Sequence, residues 1–529
     1  MPKTARAKKK SSTATTAHAM AKAQREISIS EFFTKNRHLL GFDNPRRALL
    51  TTVKEAVDNA LDACEEAKIL PDLEVRIEKT SSDDRFRVAV RDNGPGILKS
   101  QIPNIFAKLL YGSKFHTLKQ ARGQQGLGIS AAGMYGQLTT GKTVKITSRI
   151  SKKHEAHFFE LRIDSAKNRP EILRDDVIEW EHAHGTEVTI ELEARYQRGR
   201  RSVDEYLKQT AIANPHMRLT YTPPTGETEV FERAAKALPE EPKVIKPHPY
   251  GIELGILVKM MKDTPARNLR SFLMKDFSRV SGLVADRILE NAGLGSRSRI
   301  SRSSTVDAEK IFRGIQATKI MAPPTNCISP IGEDLILKGL KKEIDAELFL
   351  TKTRSPTVYR GNPFLIEAGI ALGGDIPADG LVKIMRFANR VPMLYQNGAC
   401  AITKSVTSID WKKYGLSQAR GAPPAGPMII MVHMASAWVP FTSESKDAIA
   451  GYGEIVKEIK LALQECGRHL GRFIRRKQRE AEELKKRQYI EKYIPQIGIA
   501  LQEILALKDK DRDRTVAKLQ DTLERSRKL

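Results

Sequence analysis

Glu55 and Asn59 stand four residues apart in Glu55-Ala-Val-Asp-Asn59-Ala-Leu-Asp-Ala63, so on a helix they share one face. A carboxylate there can take a proton from a water. An Asn oxygen one turn on can ligate Mg²⁺, a hard cation that prefers oxygen. An amphipathic helix with a polar face explains the pair equally well. Asp92-Asn93-Gly94-Pro95-Gly96 follows an alternating run that ends at Val90. An Asp at a strand end can accept the amino hydrogen of adenine, and Gly94 and Gly96 allow a tight turn and close approach of a base. The same residues also make an ordinary turn. Gly123-Gln124-Gln125-Gly126-Leu127-Gly128 leads into a helical run from Ile129 and Ser130, where bare amides suit phosphate oxygens; a flexible lid is the plainer reading. Gly185-Thr186 before the strand at Val188 carries little alone. A P-loop enzyme is not expected.

The elements that must position these groups are legible as periodicities. Ala48–Ala67 reads as a helix, with Leu50, Val53, Val57 and Leu61 at helical spacing. Leu73–Ile77, Phe86–Val90, Val144–Ile146 and Val188–Leu192 alternate as strands of one sheet with a single wet face. Between 247 and 326 short helices are expected at Ile252–Met261, Ser271–Phe277 and Val284–Ala292, amid eight arginines and lysines from Arg267 to Arg302. From about 327 the pattern is α/β again, with a buried strand at Met428–Met434. A long helix is expected from near Glu444, with an apolar seam through Ile449, Tyr452, Val456, Ile459, Leu463, Cys466, Leu470 and Phe473. The charged run Arg475–Arg487 has no seam, and Pro495 is expected to interrupt the helix.

The chain has 529 residues and a formal charge of +26. Residues 1–25 hold seven Lys or Arg and no acid, which leaves +19 for the rest; that tail is expected to be disordered. Such basicity points to a polyanion, most often nucleic acid. Cys64, Cys327, Cys400 and Cys466 form no CxxC pair, so four reduced thiols are expected. No membrane span or secretory signal is read.

Jointly and in this order, the four motifs resemble the ATP-binding fold shared by gyrase, a heat-shock chaperone, sensor histidine kinases and a mismatch-repair ATPase. Further segments narrow the resemblance to the B subunits of topoisomerase VI. These are Ser30-Glu-Phe-Phe33 with Asn36 and Gly41–Leu49; Lys108–Phe115; Arg386–Pro392 with Tyr395 and Gly398–Thr403; and Val439–Ile449. The resemblance covers nearly the whole chain after residue 26. It implies an α/β chain: an ATP-binding domain at 26–246, a helix–two-turn–helix domain at 247–326, a transducer at 327–487, and a segment at 488–529 that docks on the A subunit.

It also implies roles. Glu55 would activate water, and Asn59 would hold Mg²⁺. Asp92 would bind adenine, and Gly94, Gly96 and Thr186 would belong to the same nucleotide site. Ser113, Lys114 and the loop Arg122, Gly123, Gln124, Gln125, Gly126, Leu127, Gly128, Ile129 and Ser130 would wrap the phosphates of ATP. Lys446 would reach the γ-phosphate. Arg198, Arg200 and Arg201 resemble a loop that contacts double-stranded DNA. Lys412 and Lys413, in Trp411-Lys-Lys-Tyr414, resemble a second contact, with a core-packing Trp411 nearly as apt. ATP would close two copies into a dimer, Ile27–Gly41 swapping onto the partner, within an A2B2 heterotetramer acting on chromosomal DNA in the cytoplasm. The cleaving tyrosine would lie on the A subunit, because Asp509, Asp511 and Asp513 read as a solvated stretch. A scaffold that only dimerises and binds DNA would lack Glu55 or Lys446, and both are present.

Overall fold

The structure is a computed structural model that describes residues 27–113, 117–123, 126–164 and 167–525, with residues 17, 20, 21 and 24 besides. Most of the basic tail, with Lys114, Gln124 and Gln125, therefore lies outside the described residues.

After the short helix α1 (Ile29–Lys35), α2 spans Pro45–Glu66. Its start follows from capping. Asn44 Oδ1 accepts from the Arg47 amide at 2.9 Å, and Pro45 occupies the first turn, where no partner for an N–H is needed. Leu49, Leu50, Val53, Val57 and Leu61 are buried along one face, which lies over an eight-stranded sheet. The strands are β1 (Asp72–Lys79), β2 (Arg85–Asp92), β3 (Val144–Arg149), β4 (Ala156–Asp164), β5 (Arg169–Ile178), β6 (Gly185–Glu193), β7 (Arg218–Thr222) and β8 (Glu229–Phe231). Their order is β5-β4-β3-β6-β2-β1-β7-β8, with only β1 and β7 paired in parallel. Strands such as β1 bury every second residue, as one wet face requires. Helices α3 (Ile102–Ala107), α4 (Gly128–Thr140) and α5 (Val203–Ala213) complete this layer.

The next stretch is helical: α6 (Leu254–Asp263), α7 (Leu269–Asp276), α8 (Gly282–Asn291) and α9 (Thr305–Ala317). The first three fall within three residues of expectation. The fourth is new, and Ser304 with Asp307 opens it as a reciprocal capping box. Leu257, Phe272, Leu273, Ile288, Ile311 and Ile315 form its own core.

A second sheet follows α10 (Glu333–Glu343). Its strands are β9 (Leu348–Thr353), β10 (Thr357–Tyr359), β11 (Asn362–Leu372), β12 (Lys383–Ala388) and β13 (Val391–Pro392); after α11 (Ala401–Ser408) and the small pair β14 (Ser417–Gln418) and β15 (Pro424–Ala425) comes β16 (Met428–Ser436). β16 is buried at all nine positions, between β11 and β12. Trp411 is in this core, its Nε1 donating to the Val406 carbonyl at 2.8 Å.

The C-terminal region corrects two expectations. The long helix α12 spans Gly453–Leu505 and does not begin near Glu444. Residues 443–450 form a turn, and Ile449 is buried in the same core as the helix, so the spacing looks continuous. Pro495 lies inside α12 and does not end it. Proline removes one hydrogen bond at a local cost of about 3 kcal/mol but has a helix-compatible φ. Residues 475–486 are all exposed. Beyond them a few apolar residues pack together. Helix α13 (Asp509–Arg525) folds back so that a Cβ on Gly498 would meet Val516 Cγ2 at 2.4 Å, and Ile494 is buried a turn away. Tyr489, Ile490, Tyr493, Ile497, Ile504 and Leu505 stay exposed. No helix among the described residues is long and apolar enough to cross a membrane.

The two sheets meet where α10 rests on α5. Ile212, Ile336, Leu340, Phe387 and Met431 share one cluster there, and a Cβ on Gly339 would stand 2.3 Å from the Ile212 carbonyl oxygen. In Gly339→Ala the backbone clash, about 1–3 kcal/mol, opposes a helix-propensity gain of about 1 kcal/mol. The clash is with main chain and cannot rotate away, so the expected outcome is net destabilisation, read as a lower unfolding temperature by calorimetry. A variant as stable as the parent would show that this contact is not tight.

Candidate active site

A cleft of about 600 Å³ opens between α2, the end of β2, the start of α4 and the turn 443–447 from beyond the second sheet. Glu55, Asn59, Asp92, Gly96, Ser113, Gly123, Gly126, Leu127, Gly128, Ile129, Ser130, Thr186 and Lys446 line it. The four motifs, up to 131 residues apart in sequence (Glu55 to Thr186), thus share one space.

Asp92 ends β2. Its Oδ1 accepts from the Gly94 amide at 2.8 Å and the Thr186 amide at 3.2 Å. Both donors address one oxygen, so Oδ2 keeps its capacity for a ligand. Burial raises the carboxyl to about 6, so it is largely ionised at neutral pH and accepts only. Thr186 Oγ1 in turn lies 3.0 Å from Ser148 Oγ. Gly96 has φ +70°, and a Cβ there would stand 2.1 Å from the Arg149 carbonyl oxygen. Gly94 shapes the turn by its amide rather than lining the cleft.

Glu55 and Asn59 lie one turn apart on α2, and the side chain of Asn59 is open to the cleft. The first amides of α4 abut the carboxylate: a Cβ on Gly128 would stand 1.8 Å from Glu55 Oε2. A side chain at position 128 would therefore push the flexible end of Glu55 away from the start of α4. Among the described residues no group of three or more His, Cys, Asp or Glu could cage a metal. The donor set still fits Mg²⁺, which is commonly held by one or two protein oxygens plus substrate phosphates, with Asn59 Oδ1 as the protein's oxygen.

Lys446 has φ +56° and its Nζ donates to the Arg122 carbonyl at 2.9 Å. Lys54 Nζ reaches the neighbouring Ser445 carbonyl at 3.4 Å. Arg122 itself requires a correction. Its guanidinium is buried away from the cleft, donating to Asp62 at 2.8 Å, to Glu65 at 2.9 and 2.6 Å, and to Asn214 Oδ1 at 2.6 Å. Burial opposes its charge, but Glu65 and Asp62 outweigh that and hold it firmly protonated. With both terminal nitrogens committed to Asp62, Glu65 and Asn214, and Nε buried without a partner, the side chain is not a phosphate ligand; the backbone oxygen is the part that faces Lys446.

Sequence reasoning missed two other groups. Asp58, beside Asn59, is buried and raised to about 6 by that burial, with Tyr206 Oη donating to its Oδ1 at 3.0 Å. Arg47 ion-pairs with Asp447, next to Lys446. Nothing local marks them, because each partner lies more than 140 residues away. The letters of the P-loop pattern, GxxxxGK[ST], do occur at Gly136-Gln-Leu-Thr-Thr-Gly141-Lys142-Thr143. They occupy the end of α4 and its C-cap before β3, whereas a phosphate loop runs from strand into helix. Outside the cleft, Arg198, Arg200 and Arg201 are exposed just before α5, and Lys412 and Lys413 are exposed beside buried Trp411.

Comparison with known proteins agrees with this geometry. Residues 44–196 match the histidine kinase-, DNA gyrase B- and HSP90-like ATPase family, and residues 323–486 match the transducer of topoisomerase VI B subunits. The B subunit of type 2 DNA topoisomerase 6 from Methanococcoides burtonii is 50% identical over 508 residues, 96% of this chain and 82% of that protein. The Archaeoglobus fulgidus protein of the same name is 47% identical over 94% of this chain and 83% of its own. The chain therefore belongs to the family of topoisomerase VI B subunits and is the ATPase subunit of a type II DNA topoisomerase.

Proposed function

We propose that the cleft binds ATP with Mg²⁺ and that its hydrolysis closes and reopens a dimer of this chain, gating the passage of one DNA duplex through another. The observation that carries this is the meeting of Glu55, Asn59, Asp92, the start of α4 and Lys446 in one cleft. Asp92 Oδ2 accepts the adenine amino hydrogen. The amides from Gly126 to Ser130, at the positive end of α4, hold phosphate oxygens, with Ser113 beside them and Lys114, Gln124 and Gln125 assigned to the same task. Glu55 takes the proton of the attacking water. Asn59 holds Mg²⁺, which when bound offsets charge on the phosphates. Lys446 meets the γ-phosphate as a compact charge on a long stem, and so reports its loss to the second sheet.

The same reading divides the chain into an ATP-binding domain at 26–246, a helix–two-turn–helix domain at 247–326 and a transducer at 327–487. Residues 488–529 dock on an A subunit that carries the cleaving tyrosine, in an A2B2 assembly on cytoplasmic chromosomal DNA. The exposed apolar residues from Tyr489 to Leu505 supply that surface. Arg198, Arg200, Arg201, Lys412 and Lys413 contact the DNA backbone, with little sequence preference. A scaffold without hydrolysis would have no use for Glu55 set against the start of α4.

Three outcomes test the reading. Glu55→Ala should bind ATP and hydrolyse it about 10²–10⁴-fold more slowly, and near-normal turnover would refute the role. Changing Arg198, Arg200 and Arg201 together to Glu should weaken duplex binding for every sequence and flatten log affinity against log salt by about one unit per lost phosphate contact; an unchanged slope removes the loop from the DNA interface. A chain ended at Tyr493 should fail to co-purify with the A subunit yet still dimerise with a non-hydrolysable ATP analogue, and undiminished co-purification would sink the docking surface.

A further inference from the structure

The first turn of α2 touches two distant segments at once. Arg46 Nη2 donates to the Arg200 carbonyl in the exposed basic loop. Arg47, the next residue, donates to Asp43 Oδ1 at 2.7 Å and ion-pairs with Asp447, in the turn that carries Lys446. Both members of that pair are nearly buried, so the charge on each needs the other. Tyr395 links the two segments. The Arg47 guanidinium lies 5.0 Å from the centroid of its ring and the Arg201 guanidinium 5.6 Å from the same centroid. Two cations thus share one aromatic ring.

The backbone around this ring is bolted to the Lys446 turn. Buried Arg386 donates to the Tyr395 carbonyl at 2.6 Å, the Met393 carbonyl at 2.7 Å and the Asp447 carbonyl at 3.3 Å. The turn itself is strained, since Lys446 has φ +56°. Such a conformation persists only where neighbours over-determine it. Here they do: Lys446 N donates to the Ser443 carbonyl at 3.1 Å, Thr442 N to the Ala448 carbonyl at 2.9 Å, and Ser445 Oγ to Asp447 Oδ2 at 2.7 Å. Asp447 is therefore the anchor that keeps the Lys446 amine in the cleft. Arg201, at the other end, is also left-handed at φ +59°, with its amide held by Glu205 Oε2 at 2.7 Å.

We propose that Arg47, Tyr395 and Asp447 are positioning residues that couple the basic loop Arg198–Arg201 to Lys446, so that duplex DNA on the loop raises ATP turnover. This rests on the reading of Lys446 as the γ-phosphate contact and of the loop as a DNA contact. A phosphate is a stronger partner for a guanidinium than an aromatic face, because it offers charge-assisted, bidentate hydrogen bonds. DNA draws Arg201 off the Tyr395 ring. Arg47 then loses the like charge that shares its ring, its pairing with Asp447 tightens, and the strained turn holds Lys446 more firmly toward the nucleotide.

The test uses the full chain with its partner subunit. ATP turnover is measured with and without duplex DNA and normalised to sites titrated by a non-hydrolysable analogue, so that misfolded protein does not count. Lys446→Ala should lower turnover about 10²-fold, the usual weight of one charge-stabilising donor; normal turnover there would overturn the Lys446 reading itself. In Tyr395→Leu and in Asp447→Asn the ratio of turnover with DNA to turnover without it should fall to about one, the value that complete uncoupling requires, while duplex affinity is retained. Tyr395→Phe keeps the ring and should keep the ratio. A parent ratio of one, or a ratio preserved in both Tyr395→Leu and Asp447→Asn while Lys446→Ala is slow, would overturn the relay and leave the Lys446 assignment standing.

Discussion

The buried guanidinium of Arg122 constrains the rest of the structure. A charge taken out of water must be paired, and removing one partner of such a pair costs about 3–5 kcal/mol. Its partners come from separate elements: Asp62 and Glu65 from α2, and Asn214 from the end of α5. Glu65 also accepts from His216 at 2.8 Å and lies 3.9 Å from Arg390, in the turn between β12 and β13. Burial would raise the Glu65 carboxyl, but Arg122 and His216 outweigh it and hold it well below the usual range. The cluster therefore fixes the loop before α4 against α2 on one side and the second sheet on the other.

Arg390 is fixed as firmly from behind. Its amide donates to His433 Nε2 at 2.9 Å, and its Nη2 donates to the Ser329 and Pro330 carbonyls, both within 3.2 Å. Because His433 Nε2 accepts there, Nδ1 carries the proton and donates to Glu367 at 2.7 Å. Glu367, fully buried, also accepts from the Ile331 and Gly332 amides. This chain of hydrogen-bonded polar groups runs through the core of the second sheet, with Arg122 Nε and Arg390 Nε buried beside it without a partner. It ties the second sheet to α2 beside the shared cleft.

Much of this is legible in the sequence, and the failures have physical causes. The period of 3.6 in α2 and the period of two in β1 and β2 put Glu55, Asn59 and Asp92 where they line the cleft, because local pattern decides the face a side chain takes. β4 is equally readable, burying Phe159, Leu161 and Ile163 at every second position, yet it is missing from the expected strands. β5 is not readable: it is an edge strand with exposed residues throughout its middle and no alternation to find. Arg122 misleads because its glycine neighbours suggest a phosphate loop, whereas its fate is set by carboxylates 57 and 60 residues away. Ile449 shows the opposite error, since a residue off the helix can fill the next place in its seam.

Rigid elements and strained turns have different tasks in this molecule. Helix α2 is 22 residues long, about 33 Å at 1.5 Å per residue, and it carries Arg46, Arg47, Lys54, Glu55, Asp58, Asn59, Asp62 and Glu65 in one run. It holds the basic loop, the Lys446 turn, the Glu55 carboxylate and the buried guanidinium in fixed relation. The residues that meet it from elsewhere are often backbone outliers: Arg201, Arg390 and Lys446 are non-glycine residues with positive φ. Each such residue costs of order 1–3 kcal/mol and is kept only where the surroundings demand it. Their position puts the backbone strain at the contacts with α2 that assemble the cleft, while the strands and helices beneath keep regular geometry.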